Sequence, residues 1–352
     1  MRVPTRRKTR SVKIGKLSIG GGAPVLVQSM TCTKTSDVSA TLLQIDELEK
    51  AGCEIIRVAV PDKSALDALP AIKASCPMPL VADIHFNLSF ALGAIEAGCD
   101  KIRINPGNLG GLDNFKKVLS KAAEKGCAIR IGVNSGSVEK ALLEKYGGPT
   151  TEAMVQSALQ YLEVCNDEKF DQIVISIKAS STLEAVEANR RFSELSDFPL
   201  HLGITEAGTP GYGALKSAVG IGSLLLDGIG DTIRVSLTGN PVNEIPVAYD
   251  ILKASGVRIV TPEVVSCPTC GRLQYGMEDV AKEIEKRLAS VRKPLRVAVM
   301  GCLVNGPGEA READIALAGG KGEAVLYKKG VEIGKIKETE MVDAVVKAAM
   351  EW

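Results

Sequence analysis

Eight short runs of β-branched and aliphatic residues, each followed by a stretch of helical periodicity, fill the first two thirds of this chain, and that count leaves few folds open. The runs cover residues 25–30, 55–60, 80–86, 101–106, 129–134, 172–178, 201–205 and 232–237. Amphipathic segments lie between them, at 41–51, 88–97, 115–125 and 183–195 among others, and Gly52, Gly98 and Gly126 stand where helix C-caps are expected. A doubly wound sheet shares the alternation. Eight units within about 250 residues favour closure, so residues 1–256 are expected to form an α/β fold, a (β/α)8 TIM barrel. Beyond Gly256 the pattern becomes that of a small α+β domain over 257–352. It has expected strands at 258–261 and 295–300, a helix at 277–290, and strand segments over 313–337 with a Lys329-Gly330 turn before a last helix.

Successive side chains of a strand point to opposite faces, and in these runs one face is apolar while the other is polar or charged. Ile56 and Val58 alternate with Arg57, Ile84 with Asp83 and His85, Ile102 and Ile104 with Arg103 and Asn105, and Ile129, Ile131 and Val133 with Arg130 and Asn134. Ile175 and Ile177 alternate with Ser176 and Lys178, and Ile233, Val235 and Leu237 with Arg234 and Ser236. With the apolar parity under the helices, the polar parity points into the barrel, toward the mouth where such barrels place their active sites. Arg57, Arg103, Arg130, Arg234 and Lys178 then bring five positive charges inward against Asp83 and, just past the seventh run, Glu206. A buried surplus of charge costs several kcal/mol unless a counter-ion offsets it. Guanidinium forks and an ammonium suit the oxygens of phosphate or diphosphate.

The small domain carries a second chemistry. Cys267-Pro268-Thr269-Cys270 and, further on, Cys302 within Gly301-Cys302-Leu303-Val304-Asn305-Gly306-Pro307-Gly308-Glu309 give a close cysteine pair and a distant third. Three thiolates hold three irons of a cubane and leave its fourth corner to a different ligand, for which Glu309 is the candidate, or to substrate. Structural zinc is the competing reading. It wants a fourth Cys or a His, whereas His85 and His201, the only histidines, are both far upstream. The Gly- and Pro-rich turn around Cys302 favours the cluster, because such turns bring backbone N–H groups to cluster sulfurs. Two further classes match parts of the pattern: a pterin- or phosphosugar-binding transferase or lyase with structural zinc, and a noncatalytic iron–sulfur carrier. The carrier has no need of five inward cations.

A formal net charge of +1 over 352 residues gives no footing for nucleic acid, and no apolar run approaches the roughly 20 residues that span a bilayer. The basic start, with Arg2, Arg6, Arg7, Lys8, Arg10, Lys13 and Lys16, lacks an amphipathic period and reads as a solvated arm rather than a transit peptide or an RNA-binding segment. Cys53, Cys76, Cys99, Cys127 and Cys165 fall in or just after expected helices, where a free cysteine packs as a small apolar residue. An odd cysteine count without even spacing or a secretory signal points to a reducing cytoplasm and no disulfides.

Taken together, the motifs resemble one family. Val27-Gln28-Ser29-Met30-Thr31, Val81-Ala82-Asp83-Ile84-His85-Phe86, Arg103-Ile104-Asn105-Pro106-Gly107-Asn108 and Ile131-Gly132-Val133-Asn134 are its barrel signatures, with Leu202-Gly203-Ile204-Thr205-Glu206-Ala207-Gly208 and Gly230-Asp231-Thr232-Ile233-Arg234-Val235-Ser236. With the cysteine motifs, they are similar to those of the 4-hydroxy-3-methylbut-2-en-1-yl diphosphate synthase family of the methylerythritol phosphate pathway, in its short bacterial form. The resemblance implies a 4Fe-4S cluster on Cys267, Cys270, Cys302 and Glu309, fed by reduced ferredoxin or flavodoxin. It implies reductive ring opening and dehydration of 2-C-methyl-D-erythritol 2,4-cyclodiphosphate in isoprenoid biosynthesis. The inward residues Arg57, Asp83, His85, Arg103, Asn105, Arg130, Asn134, Lys178, Arg234 and Ser236 are then expected to contact that cyclic diphosphate. Glu206 is the candidate acid for the departing hydroxyl, with pairing to a barrel arginine as its alternative role. A substrate oxygen is expected to replace Glu309 on the unique iron. The resemblance also implies a cytoplasmic, head-to-tail homodimer in which the cluster unit of one chain caps the barrel of the other. Cys32 departs from the Asn of many relatives.

Overall fold

The computed structural model describes residues 4–304 and 306–352, so Arg2 and Asn305 lie outside the described residues. Two antiparallel strands that periodicity does not reveal come first, β1 (Ser11–Ile14) and β2 (Leu17–Gly20). All eight expected runs then form strands: β3 (Leu26–Met30), β4 (Ile55–Ala59), β5 (Leu80–Asp83), β6 (Lys101–Ile104), β7 (Ala128–Asn134), β8 (Ile173–Lys178), β9 (His201–Leu202) and β10 (Thr232–Ile233). They pair side by side in the order β8-β7-β6-β5-β4-β3-β10-β9, and a parallel bridge between Ile175 and Leu200 joins the two ends of that series into a barrel. The expected TIM barrel is present.

Local chemistry sets the helix limits. Asp37 accepts from Ala40 N at 3.0 Å and Asp62 from Ala65 N at 2.8 Å, each satisfying an N–H that the first turn leaves unpaired. Gly52 and Gly126 end their helices in the left-handed region, with φ 104° and 66°. β9 and β10 are shorter than their runs, yet Arg234 N still donates to Leu202 O at 3.0 Å, so the alternation of faces continues past the paired residues.

The parity reading holds in three dimensions. Ile56, Val58, Ile102, Ile104, Ile129, Ile131, Ile175 and Ile177 are fully buried in one cluster with helix residues such as Leu48, Leu69, Phe115 and Phe192. Each such side chain contributes about 1.5–3 kcal/mol through burial. The inward parity is layered. Its lowest layer, Leu26, Ile55, Val81, Ala128 and Val174, packs against Val12, Ile14 and Ile19 of the β1–β2 hairpin, which stoppers the N-terminal end of the barrel.

The hairpin corrects the reading of the basic start as a solvated arm. Arg6 donates to Asp231 Oδ1 at 2.9 Å, Arg7 to the carbonyls of Ser196 and Phe198 at 2.5 and 2.6 Å, and Arg10 pairs with Asp197 at 2.8 Å. Guanidinium groups that reach backbone carbonyls fasten this segment to the barrel wall.

The chain divides into two compact units after Arg258. The second is a five-stranded sheet of β11 (Glu263–Ser266), β12 (Arg296–Met300), β13 (Ile315–Gly320), β14 (Glu323–Lys328) and β15 (Val331–Lys337), paired in sequence order, parallel up to β13 and antiparallel after it. Helices Met277–Leu288 and Met341–Met350 share its main apolar core, and the expected Lys329-Gly330 turn has both φ values positive, as a two-residue hairpin requires. Two expectations fail. Residues 258–261 are not a strand: Arg258 instead forks onto Glu54 at 2.7 and 2.8 Å and donates to Val25 O, and Pro262, lacking an N–H, delays pairing until Glu263. Part of the Gly-Pro-Gly stretch after Cys302 is a short helix, Gly306–Glu312, rather than a turn. A side chain at its first residue would meet Ala318 Cβ at 2.6 Å.

Candidate active site and metal centre

At the C-terminal strand ends the inward parity opens into a cavity of about 400 Å³. Asp83, almost fully buried, is its electrostatic centre. His85 Nε2 lies 3.3 Å and Arg57 Nε 4.0 Å from its Oδ2, and Arg103 Nη1 lies 3.5 Å from its Oδ1. Burial alone would raise the Asp83 carboxyl. Arg57, the hydrogen bond from His85, Arg103 and Arg130 outweigh that and hold it well below the usual carboxylate range.

The cations crowd one another. Burial pushes the Arg57 guanidinium down to about 10, with Asp83 opposing and Arg234 and Arg103 adding to the effect. Burial, reinforced by Arg130, Arg57, Arg234 and Arg103, pulls the Lys178 ammonium well below the ordinary lysine range. Two glycines of the inward parity make this crowding feasible. A Cβ at Gly132 would stand 2.6 Å from Arg103 Nε, and one at Gly203 would stand 2.6 Å from Lys178 Nζ and 2.7 Å from Arg234 O.

Arg57, Asp83, His85, Arg103, Arg130, Asn134, Lys178, Glu206, Arg234 and Ser236 all line the cavity. Asn105 is not among its lining residues. Its Oδ1 accepts from Gly107 N at 3.1 Å and caps the 3-10 turn Pro106–Leu109. Glu206 sits exposed at the rim with a left-handed backbone, φ 53°, and no salt bridge joins it to a barrel arginine among the described residues. Cys32 does not line the cavity. Its N–H donates to Gln44 Oε1 at 2.7 Å.

Two residues escaped the sequence reading of the site. Glu244, 2% exposed at the start of helix Glu244–Ala254, accepts from Arg234 Nη2 at 3.0 Å, Ser29 Oγ at 2.8 Å and Leu237 N at 3.1 Å. It precedes no strand, so face alternation offers no signal for it. Lys101, completely buried, shares the parity of Arg103 and was legible on that ground. Glu244 adds one carboxylate, and the inward surplus of positive charge stands even with Lys101 uncharged.

In the second unit Cys267, Cys270 and Cys302 line one cavity of about 80 Å³ with Arg272, Met300 and Gly306. Gly301 N donates to Cys267 Sγ at 3.3 Å, a backbone donor of the kind that supports cluster sulfurs. Three cysteine side chains around one cavity fit a thiolate-ligated cluster. Glu309, on the helix Gly306–Glu312, is exposed and does not line it. Among the described residues no three His, Cys, Asp or Glu side chains converge as the ligands of a single metal ion would. Of the other cysteines, Cys53, Cys99, Cys127 and Cys165 are buried, Cys76 is half-buried, and burial pushes the Cys53, Cys127 and Cys165 thiols up to about 12.

A cation-lined TIM barrel followed by a three-cysteine α+β unit defines a family: residues 9–249 match the GcpE TIM-barrel domain and residues 263–351 the GcpE protein C-terminal domain, and the chain belongs to the GcpE family. Its relatives make the type specific. The protein of Symbiobacterium thermophilum named 4-hydroxy-3-methylbut-2-en-1-yl diphosphate synthase (flavodoxin) is 53% identical over 341 residues, spanning 97% of this chain and 92% of that protein. Proteins of the same name from Geobacter sulfurreducens and Thermodesulfovibrio yellowstonii are 53% and 52% identical, each over 97% of this chain and over 97% and 98% of their own lengths. The resemblance drawn from the motifs is borne out. Among solved structures, 3-dehydroquinate dehydratase from Geobacillus kaustophilus matches 70% of this chain and 97% of its own with a TM-score of 0.50 at 12% identity, a likeness of fold alone.

Proposed function

We propose that this chain opens the ring of 2-C-methyl-D-erythritol 2,4-cyclodiphosphate and removes one oxygen as water, giving 4-hydroxy-3-methylbut-2-en-1-yl diphosphate. Two electrons and two protons balance the conversion. The observation that carries this reading is the buried surplus of cations at the barrel mouth in a chain that also gathers three thiols around one cavity. Arg57, Arg103, Arg130, Lys178 and Arg234 bind the diphosphate oxygens, and Asn134 and Ser236 orient the ring by neutral hydrogen bonds. Asp83 stays ionised and fixes Arg57, Arg103 and His85 around the substrate. Glu206, at the rim and free of any arginine partner among the described residues, holds the proton that leaves with the hydroxyl.

Cys267, Cys270 and Cys302 would hold a 4Fe-4S cluster, which the small-unit cavity and the Gly301 N–H support, and Glu309 would be its fourth ligand on the strength of the family motif. When bound, such a cluster supplies single electrons and a Lewis-acidic iron. The electron donor is a reduced flavodoxin or ferredoxin. Buried, singly placed cysteines such as Cys53, Cys99, Cys127 and Cys165 suit a reducing cytoplasm, and no helix among the described residues is long and apolar enough to cross a membrane.

The working form is a homodimer in which one chain's cluster unit serves the other's barrel. Tyr212, Leu215, Val219 and Leu226 form an exposed apolar stripe along helix Pro210–Leu226, a surface suited to a second copy. Anaerobic purification followed by iron and acid-labile sulfide analysis, then turnover of the cyclodiphosphate with reduced flavodoxin, tests the whole reading. Zinc in place of iron, or no product from an iron-loaded preparation, sinks it.

A further inference from the structure

One buried lysine of the barrel has no role in the chemistry just described. Lys101 begins β6 on the inward parity, in register with Val81 and Ala128 of the apolar layer sealed by the hairpin and one inward position below Arg103. It is 0% exposed, its Nζ has no hydrogen-bond partner among the described residues, and it does not line the cavity.

The groups facing it from each neighbouring strand supply little negative charge. The charges that act on it most are Arg130 of β7 and Arg57 of β4, with Arg103, two residues on in β6, and Lys178 of β8 in the cation layer beyond. Gln28 of β3 is neutral and hydrogen-bonded to Arg130 at 3.5 Å, and His201 of β9 is buried with Nδ1 on Thr232 Oγ1 at 2.8 Å. Among the described residues two carboxylates reach this interior, and both are engaged: Asp83 of β5 is shared between Arg57, Arg103 and His85, and Glu244 is held by Arg234 and Ser29. Cys127, just before β7, is a buried thiol.

An unpaired ammonium in such surroundings costs several kcal/mol, so the side chain rests as the amine. A dianion arriving above it reverses the sign of the local field. We propose that Lys101 is a proton-uptake site linked to substrate binding, staying neutral in the free enzyme and taking one proton from solvent when the cyclic diphosphate occupies the cation layer. The inference rests on the substrate class given above. Burial, together with Arg130 and Arg57, sets its resting state well below the ordinary lysine range, which agrees with this assignment. Substrate affinity then falls as pH rises through the working range, because each binding event must also bind a proton.

The test is calorimetric titration of the iron-loaded protein with the cyclodiphosphate, without reductant so that no turnover occurs, in two buffers of different ionisation enthalpy. The wild type is expected to take up protons on binding. Lys101→Met should take up about one fewer, as should Lys101→Arg, whose guanidinium is charged in both states. A wild type that binds with no uptake, or variants that take up as many protons as the wild type, overturns the assignment. If neither variant folds, a wild type that binds without proton uptake and with an affinity independent of pH still overturns the assignment. Failure of the cyclodiphosphate to bind at all would instead refute the substrate class.

Discussion

Gly132 offers the sharpest test of how the cation layer is built. Replacing it with alanine places a methyl group 2.6 Å from Arg103 Nε, 2.9 Å from its Nη2 and 3.1 Å from its Cζ, all within one mobile side-chain end. The guanidinium can yield where backbone could not, so the strand survives while Arg103 leaves its place 3.5 Å from Asp83. A charge-assisted contact is worth about 1.5–3 kcal/mol, so Gly132→Ala should weaken cyclodiphosphate binding by roughly 10- to 100-fold. Thermal stability should fall by much less. Gly203→Ala is the contrasting case, since its methyl meets the backbone carbonyl of Arg234 at 2.7 Å as well as the Lys178 ammonium. Overpacking against backbone should cost about 1–3 kcal/mol of stability in addition to binding. Calorimetric Kd and thermal midpoint, measured on both variants without reductant, separate the two effects. Unchanged affinity in Gly132→Ala, or a stability loss equal to that of Gly203→Ala, would refute the idea that these glycines exist to seat cations.

Cys302→Ser should lose most cluster iron, whereas Glu309→Gln should retain most of it with little turnover, as iron analysis of anaerobic preparations will show; equal iron loss would give Glu309 a purely structural role. Because Asp83 is depressed in the folded state, its contribution to stability is complete above the ordinary aspartate range near pH 4 and is lost as pH falls below it. The urea midpoint of the wild type should therefore drop more steeply between about pH 5 and pH 3 than that of Asp83→Asn, and parallel curves would count against the Asp83 network. Mixing a Cys302→Ser chain with a Glu206→Gln chain, each inactive alone, should restore activity if catalysis is shared across a dimer. Verified subunit exchange without recovery would place the reaction within one chain.

Much of the barrel was legible because strand alternation writes burial directly into the sequence: Arg57 between Ile56 and Val58, or Arg130 between Ile129 and Ile131, can face only inward once the isoleucines face the helices. The same logic covered Lys101, whose parity matches Arg103, but a lysine opening a strand reads by default as a solvated end. Glu244 was illegible for a different reason. Its carboxylate reaches Arg234 from a helix start, and no periodic pattern reports which strand a helix N-terminus will meet. Asn105 shows the reverse error, since an inward-parity position at a strand end served the backbone of the following turn. The hairpin was hidden by its composition. Lys13 and Lys16 dominate a segment whose structural content lies in Val12, Ile14 and Ile19.

That hairpin makes the barrel a cul-de-sac. With Val12, Ile14 and Ile19 closing the floor, molecules that reach the cations enter and leave by one door. A product that keeps both phosphates must therefore depart past the groups that hold the next substrate, and the two contend for a single berth. Inhibition by product should be competitive with the cyclodiphosphate in initial-rate measurements, and the berth's charge, useful for capture, becomes the brake on release.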